Sequence, residues 1–216
     1  LVNSYNNLTD YYLFNTNSII NQINTDKISF NNHDEADKLS LLADKIRIEE
    51  YVKELKNSSS KVNKERILFL DMLIYDMKMN PPESDFKAYR NLKTLIIENS
   101  GKLSRQMLYF YLQRLNVFCI IQNVKSIQDM NKELFENYKK MLENDLFSLD
   151  GTTGLTLLDL RLILSSALKN NDFDWVEKFI KEKIYLVNEE LRINVNHYCY
   201  AHLMFYKTNY EGSLEH

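Results

Sequence analysis

The amino-acid sequence predicts an all-α protein with about ten helices, and two observations carry that prediction. The chain of 216 residues contains 4 glycines and 2 prolines, whereas sheets and hairpins need many tight turns that these residues supply. Apolar residues recur at spacings of three and four, and no segment reads convincingly as a strand. With 44% hydrophobic and 26% charged residues, a chain of this length can bury a sizeable core.

Three helices are predicted in the first 80 residues. The first spans Leu8 to Ile23, and the loop "INTDKISFNNHD" joins it to the second. The second, "HDEADKLSLLADKIRIEEYVKELKN", begins with acidic residues and ends with basic ones, which suits the helix dipole. The segment "NSSSKVNKERILFLDMLIYDMKMN" supplies cap residues and then a third helix.

A fourth helix has clear start and stop signals. Pro81-Pro82 breaks the chain before it, Ser84 is the expected N-cap with Asp85 in the first turn, and Gly101 is the expected C-cap. The apolar positions of this helix recur at helical spacing and are Phe86, Tyr89, Leu92 and Ile96.

The middle of the chain is predicted to hold two helices and a long loop. Leu103 to Gln122 is a long helix rich in aromatic residues, and Ser126 with Asp129 forms a capping-box-like start for the next. The apolar stripe of that helix is Met130, Leu134, Tyr138 and Met141. The loop "NDLFSLDGTTGL", residues 144–155, follows it and carries two of the four glycines.

The last four predicted helices form a repeat. They span Thr156 to Leu168, Phe173 to Lys183 and Asn188 to Tyr206, and the last starts at Tyr210. "NNDFDWVEKFI" and "KTNYEGSLEH" align at an offset of 37 residues, which pairs Phe173 with Tyr210 and Val176 with Ser213. Repeats of this length with two helices each are typical of stacked αα-hairpin arrays.

The segment "AHLMFYKTNYEGSLEH" resembles a tetratricopeptide (TPR) repeat. Ala201 is the small residue where the two helices approach, Tyr210 is the aromatic that opens the second helix, and Ser213 is the small residue three positions later. Leu164, Phe173 and Val176 occupy the same positions one unit earlier. The sequence departs from the TPR pattern where His197 replaces Trp, where Ala201 replaces Gly, and where Thr208-Asn209 replaces Gly-Asp.

This resemblance covers about the last 60 residues and implies a right-handed αα-hairpin solenoid. We expect one helical-repeat domain over residues 1–216, part of a longer protein, with its clearest units at 157–183 and 188–216. TPR-like arrays bind protein or peptide partners without catalysis, so the resemblance implies a non-enzymatic scaffold without a cofactor. The partner-binding positions that it implies, on the first helix of each pair, are Arg161, Ser165, Tyr198, His202 and Phe205.

Three alternatives stay open at this point. Such repeats also serve as peptide-sensing regulatory modules attached to an effector domain. An all-α enzyme with an unrecognised site would instead require clustered carboxylates or histidines in a deep polar pocket. A self-association module is the third alternative.

Charge and cysteine content limit the partners and the compartment. A net charge of −3 gives no general attraction to nucleic acid or to an anionic membrane. Cys119 and Cys199 lie far apart in apolar stretches, which favours reduced core thiols and a cytoplasmic location. No run of about 18 apolar residues predicts a membrane span. The chain begins with Leu1, so an upstream segment is expected, and the ending Leu214-Glu215-His216 is either native or the start of an expression tag.

The cluster His197, Cys199 and His202 does not have metal-site spacing. On a helix, residues 199 and 202 lie about 60° apart, and residue 197 points away from both. Structural zinc sites need four protein ligands and catalytic sites three. We therefore interpret His202 as a core or groove-lining residue that continues an apolar stripe.

Four other features have ordinary structural interpretations. "NHDEAD" (32–37) is similar to the His-Asp pair of helical metal-dependent phosphohydrolases but lacks a second such segment. "DGTTG" (150–154) lacks the lysine of a phosphate-binding loop. The basic stretch 53–66 is interrupted by glutamates, which favours a solvated surface. Trp175 is interpreted as packing between repeats rather than as a binding hot spot.

Overall fold

The computed structural model describes residues 8–9, 11–19, 48–57, 64–79, 85–148 and 154–214. All regular structure in these residues is helical, as the sequence predicts. The first helix, α1, comprises residues 8–9 and 11–19. The other α-helices are α2 (Ile48–Asn57), α3 (Lys64–Lys78), α4 (Phe86–Asn99), α5 (Arg105–Val124), α6 (Asn131–Glu143), α7 (Leu157–Lys169), α8 (Phe173–Lys183), α9 (Arg192–Tyr206) and α10 (Tyr210–Leu214).

The chain divides into two compact units, Leu1–Ser100 and Gly101–His216, where the sequence predicts one domain. Short 3₁₀ turns follow or precede several helices and are Ser100–Lys102, Leu146–Ser148, Ile184–Leu186 and Glu189–Leu191. Within the described ranges, no helix is long and apolar enough to span a membrane.

The N-terminal unit has a small apolar core with one buried polar pair. Leu13, Val52, Leu70 and Leu73 form the core, and α2 and α4 both pack on α3. Asn17 Nδ2 of α1 donates to Asp76 Oδ2 of α3 at 2.7 Å, and both side chains are buried. Because a buried carboxylate needs a hydrogen-bond donor, this bond favours one placement of α1 on α3.

Both ends of α4 differ from the sequence prediction. Asp85, expected in the first turn, is itself the N-cap, and its Oδ1 accepts from Lys87 N at 2.7 Å; Ser84 lies outside the described residues. The C-cap is Ser100, and Gly101 lies inside the following 3₁₀ turn. Of the predicted apolar stripe, Tyr89, Leu92 and Ile96 are buried and Phe86 is half-buried.

The predicted capping box of α6 is wrong. The helix begins at Asn131, five residues after Ser126, whose φ of 53° is incompatible with an N-cap. Asp129 Oδ1 instead accepts a hydrogen bond from Asn131 N, two residues later, at 2.9 Å. The N-cap position is taken by Met130, which is buried and makes no side-chain cap bond.

In the C-terminal unit each helix packs against the next along the chain, and α9 also contacts α7. Helices α5 to α9 each contribute buried apolar residues to the core, whereas α10 contributes none. The predicted positions Leu134, Tyr138 and Met141 of α6 are buried, as are Leu164 of α7 and Val176 of α8. Tyr138 OH donates to Asp159 Oδ1 of α7 at 3.4 Å, and burial together with this carboxylate raises the pKa of Tyr138.

The turns after α7 and α9 have the same backbone geometry, 37 residues apart. Asn171 (φ 58°) and Thr208 (φ 60°) are both left-handed. The residue after each donates back into its helix, Asp172 N to Ala167 O at 3.2 Å and Asn209 N to Met204 O at 2.9 Å. This is the Schellman pattern, which satisfies the last carbonyls of a helix and reverses the chain. Ser126 occupies the equivalent position after α5.

A backbone contact joins the start of α7 to the turn after α8. Leu155 N donates to Leu186 O at 2.7 Å, and an added Cβ at Gly154 would lie 2.0 Å from that same oxygen. The site therefore requires glycine because the two backbones approach too closely for any side chain.

Gly154→Ala should lower the free energy of unfolding by about 2 kcal/mol or more, because the new methyl group forces the backbone at Leu186 to move. The control is Gly101→Ala, where an added Cβ meets nothing within 4 Å. Urea unfolding followed by circular dichroism measures both. Equal stability of the two variants would contradict the close approach.

Thr208→Gly should raise the free energy of unfolding by about 1 kcal/mol, because a β-branched residue is strained in the left-handed conformation. Asn171→Gly is the matched control and should gain less, since asparagine tolerates this conformation. Thermal unfolding of both variants beside the unsubstituted chain is the measurement. A loss of stability on Thr208→Gly would contradict the assigned turn.

Candidate functional site

A surface hollow of about 470 Å³ lies on the C-terminal unit where α7, α9 and α10 meet. Its lining residues come from all three helices and are Ser165, Ala201, His202, Phe205, Tyr206 and Ser213. The hollow is open to solvent and mainly apolar, with hydroxyl and imidazole groups around it. This composition is suited to an apolar side chain flanked by polar groups.

The helical period of α9 positions this lining. Val195, Cys199 and Leu203 recur every fourth residue and face the interior, where they are buried. His202 and Phe205 lie on the neighbouring face, about 60° and 120° around the helix axis from Cys199. Because α9 buries Val195, Cys199 and Leu203, its geometry places His202 and Phe205 at the edge of the buried interface.

Aromatic rings cover much of this edge. The rings of Tyr198 and His202 have centroids 4.4 Å apart, and Phe205 makes edge contacts with Tyr206 and Tyr210 at 6.1 and 5.6 Å. Phe205 and Tyr210 are nevertheless 56% and 59% exposed. Large aromatic side chains that stay exposed next to a hollow are characteristic of protein interaction sites.

The imidazole of His202 is biased toward its neutral form. Burial lowers its pKa below the usual 6.5, and the positive charge of Arg161 on α7 lowers it further. Arg161 itself is exposed. An anion bound near both groups would offset their repulsion and favour the protonated imidazole.

Close contact between α9 and α10 closes one side of the hollow. Ser213 Oγ donates to the backbone oxygen of Ala201 at 2.9 Å. Gly212 N donates to Asn209 Oδ1 at 3.0 Å, which caps the start of α10. The small residues Ala201 and Ser213 therefore lie where the two helices approach.

The five residues that the sequence suggests as partner-binding are all at least partly accessible. Arg161 and Phe205 are exposed, whereas Ser165, Tyr198 and His202 are half-buried. Ser165, His202 and Phe205 line the hollow. Ala201, Tyr206 and Ser213 also line the hollow, although the sequence did not suggest them as partner-binding. Tyr206 is four residues after His202 and so lies on the same side of α9.

The candidate metal cluster is dispersed by the helix. His197 is exposed, Cys199 is fully buried, and His202 is half-buried. Burial raises the pKa of the Cys199 thiol to about 12, so the thiol is protonated at neutral pH. Among the described residues no group of three or more His, Cys, Asp or Glu could hold a metal ion. His33 and residues 150–153 lie outside the described part.

Trp175 and a lysine of the basic stretch both contact side chains of neighbouring helices. Trp175 packs edge-on against Phe135 of α6 at 4.7 Å and stacks on Phe179 at 5.1 Å. Lys139 Nζ of α6 lies 4.2 Å from the Phe135 ring centroid and 5.5 Å from the Trp175 ring centroid, so this cluster joins α6 to α8. In the basic stretch, Lys56 pairs with Asp71 of α3 at 2.8 Å.

Comparison with protein-family models, with curated proteins and with solved structures finds no significant match to this chain.

His202→Gln should change the pH dependence of stability. In the unfolded chain the imidazole binds a proton near pH 6.5, but in the folded chain its pKa is lower. Acidification below about pH 6.5 therefore favours the unfolded state, and the substitution removes that contribution. Urea unfolding at several pH values should show the unsubstituted chain losing more stability on acidification than the variant. Parallel pH profiles would contradict the assigned environment of His202.

Proposed function

We propose that this chain is a non-enzymatic, TPR-like scaffold that binds a protein or peptide on the surface formed by α7 and α9. The observation that carries the proposal is the hollow, to which α7 and α9 contribute Ser165 and His202 at positions 37 residues apart. Equivalent positions of successive hairpins on one surface are what a repeat array uses to bind an extended partner.

The repeated turns support the same proposal. The left-handed residues after α7 and α9 and their backbone hydrogen bonds recur at the 37-residue offset. Two hairpins with equal turns present their first helices side by side, consistent with the contact between α7 and α9. A right-handed solenoid is the arrangement that we infer for them.

The chemistry of the surface suggests a partner with one acidic and one apolar group. Arg161 can donate two parallel hydrogen bonds to a carboxylate. Tyr198 and His202 offer ring faces and hydrogen bonds beside it, and Phe205 offers an exposed apolar surface. The acidic group would lie nearer α7 and the apolar group nearer α10.

Peptides selected from a random display library on the immobilised chain should be enriched in Asp or Glu next to an apolar residue. Arg161→Ala should weaken their binding about tenfold, because a charge-assisted hydrogen bond contributes roughly 1.5–3 kcal/mol. Fluorescence anisotropy with labelled peptides measures the affinity.

Arg90→Ala is the matched control, since Arg90 is an exposed arginine on α4 in the other unit. It should leave the affinity unchanged. If selection yields no binding peptide, or if both variants bind equally well, the proposed function is wrong.

A further inference from the structure

His202 lies where the interior of the C-terminal unit meets the hollow. Its imidazole is half-buried and lines the hollow together with Ser165 of α7. Partial burial favours the neutral ring, because a charged group loses more than a neutral one when it leaves water. Since the hollow is open to solvent, a group that binds in it can contact the ring and change the proton affinity of the ring.

Arg161 brings a permanent positive charge to the same place. It precedes Ser165 by four residues on α7, so both lie on the same side of that helix. Because Ser165 lines the hollow beside His202, Arg161 borders the hollow, and its charge lowers the pKa of the imidazole. Two groups that repel each other as cations both attract an anion placed between them.

Two tyrosines of α9 flank His202. Tyr198 precedes it and Tyr206 follows it by four residues, about one turn of helix in each direction. The ring centroids of Tyr198 and His202 lie 4.4 Å apart. An aromatic ring at this distance attracts a cation, so Tyr198 favours the protonated imidazole once an anion offsets the charge of Arg161.

The described elements packed against α9 supply no carboxylate that neutralises this pair of groups. Of the charged groups on α7, α8, α10 and the turns before α9, Arg161 is the one that acts on the imidazole of His202. Glu177 of α8 is instead paired with Lys207, which follows α9, at 2.5 Å. The lining residue from α10 is Ser213, which carries no charge.

We propose that Arg161 and His202 together bind a carboxylate of the partner, and that the carboxylate binds with uptake of a proton from solvent by His202. The bound anion lies between the guanidinium and the imidazolium and offsets their repulsion. Affinity for an acidic partner therefore rises on acidification, whereas a partner with an uncharged group in this place gains nothing. This inference rests on the proposed function and states how its site responds to pH.

The direction of the pH dependence follows from the two states of His202. In the free chain its pKa lies below the usual 6.5, and the bound anion raises it. Affinity is therefore lowest above the pKa of the bound state, increases as the pH falls through it, and becomes constant below the pKa of the free state. A pKa rise of about 0.5 corresponds to roughly threefold tighter binding.

The probe is the histidine-free dipeptide N-acetyl-Asp-Leu-amide, which carries one carboxylate and one apolar side chain. NMR spectroscopy of the full chain follows the imidazole of His202, whose resonance is identified by its loss in His202→Gln. The dipeptide should raise the pKa of His202 by about 0.5 or more and bind about threefold more tightly near pH 5.5 than near pH 7.5, where its own carboxyl group stays ionised. N-acetyl-Asn-Leu-amide is the control and should do neither.

Three variants of the full chain locate the linkage. His202→Gln should remove the pH dependence of the affinity, because Arg161 alone then binds the carboxylate. His197→Gln is the matched control and should keep it, since His197 is exposed and points away from His202 on the same helix. Arg161→Gln should raise the pKa of His202 in the free chain, because the neighbouring positive charge is lost. Far-UV circular dichroism checks that each variant is folded.

The outcomes separate this inference from the proposed function. An unchanged pKa of His202 in Arg161→Gln, or equal affinity for the Asp dipeptide at both pH values, overturns the proton-linked site. The same pH series with the library-selected acidic peptides decides the case of a dipeptide too short to bind. If those peptides depend on Arg161 but bind equally at both pH values, the proton linkage is wrong and the proposed function stands. If neither probe binds, both fail.

Discussion

The left-handed residue in the turn between paired helices is the constraint on which the C-terminal unit depends. Asn171 and Thr208 each reverse the chain within a few residues and satisfy the last carbonyls of the preceding helix. So short a connection forces the next helix to pack antiparallel against the one before it. Because the same turn recurs after 37 residues, α7 and α9 come to lie beside each other, and their equivalent residues reach one surface.

The hairpins α7–α8 and α9–α10 differ at a few positions near the proposed site. Their turns have the same backbone geometry. However, Phe205 stands at the position of Leu168, and Leu214 stands at the position of Glu177. The side chain of Leu168 is fully buried, whereas that of Phe205 is 56% exposed. On α7 and α9, Arg161 and the desolvated His202 provide a polar edge. The proposed binding surface therefore combines an exposed apolar side chain with a polar border, and a partner that contacted both would gain orientation as well as affinity.

The sequence predicted the helices well and their ends less well. The periodic stripes of α4 and α6 are buried as predicted, because a helix between packed neighbours must turn its apolar face inward. The errors lie at caps. The N-cap of α4 is Asp85, where the sequence predicts Ser84. Ser126 lies in the turn after α5, where the sequence predicts the start of α6. Serine and aspartate serve both helix starts and turns, so local sequence does not separate the two roles.

The sequence by itself determined the all-helical class and the 37-residue spacing, since each depends only on local periodicity. Only the tertiary structure decided which of two equivalent positions is buried. Leu168 and Phe205 have the same place in their hairpins, yet the first is fully buried and the second is 56% exposed. The tertiary structure likewise decided that Gly154 must be a glycine, because Leu186, 32 residues away, is brought against it. Burial and close approach arise between segments distant in the chain, and no local pattern records them.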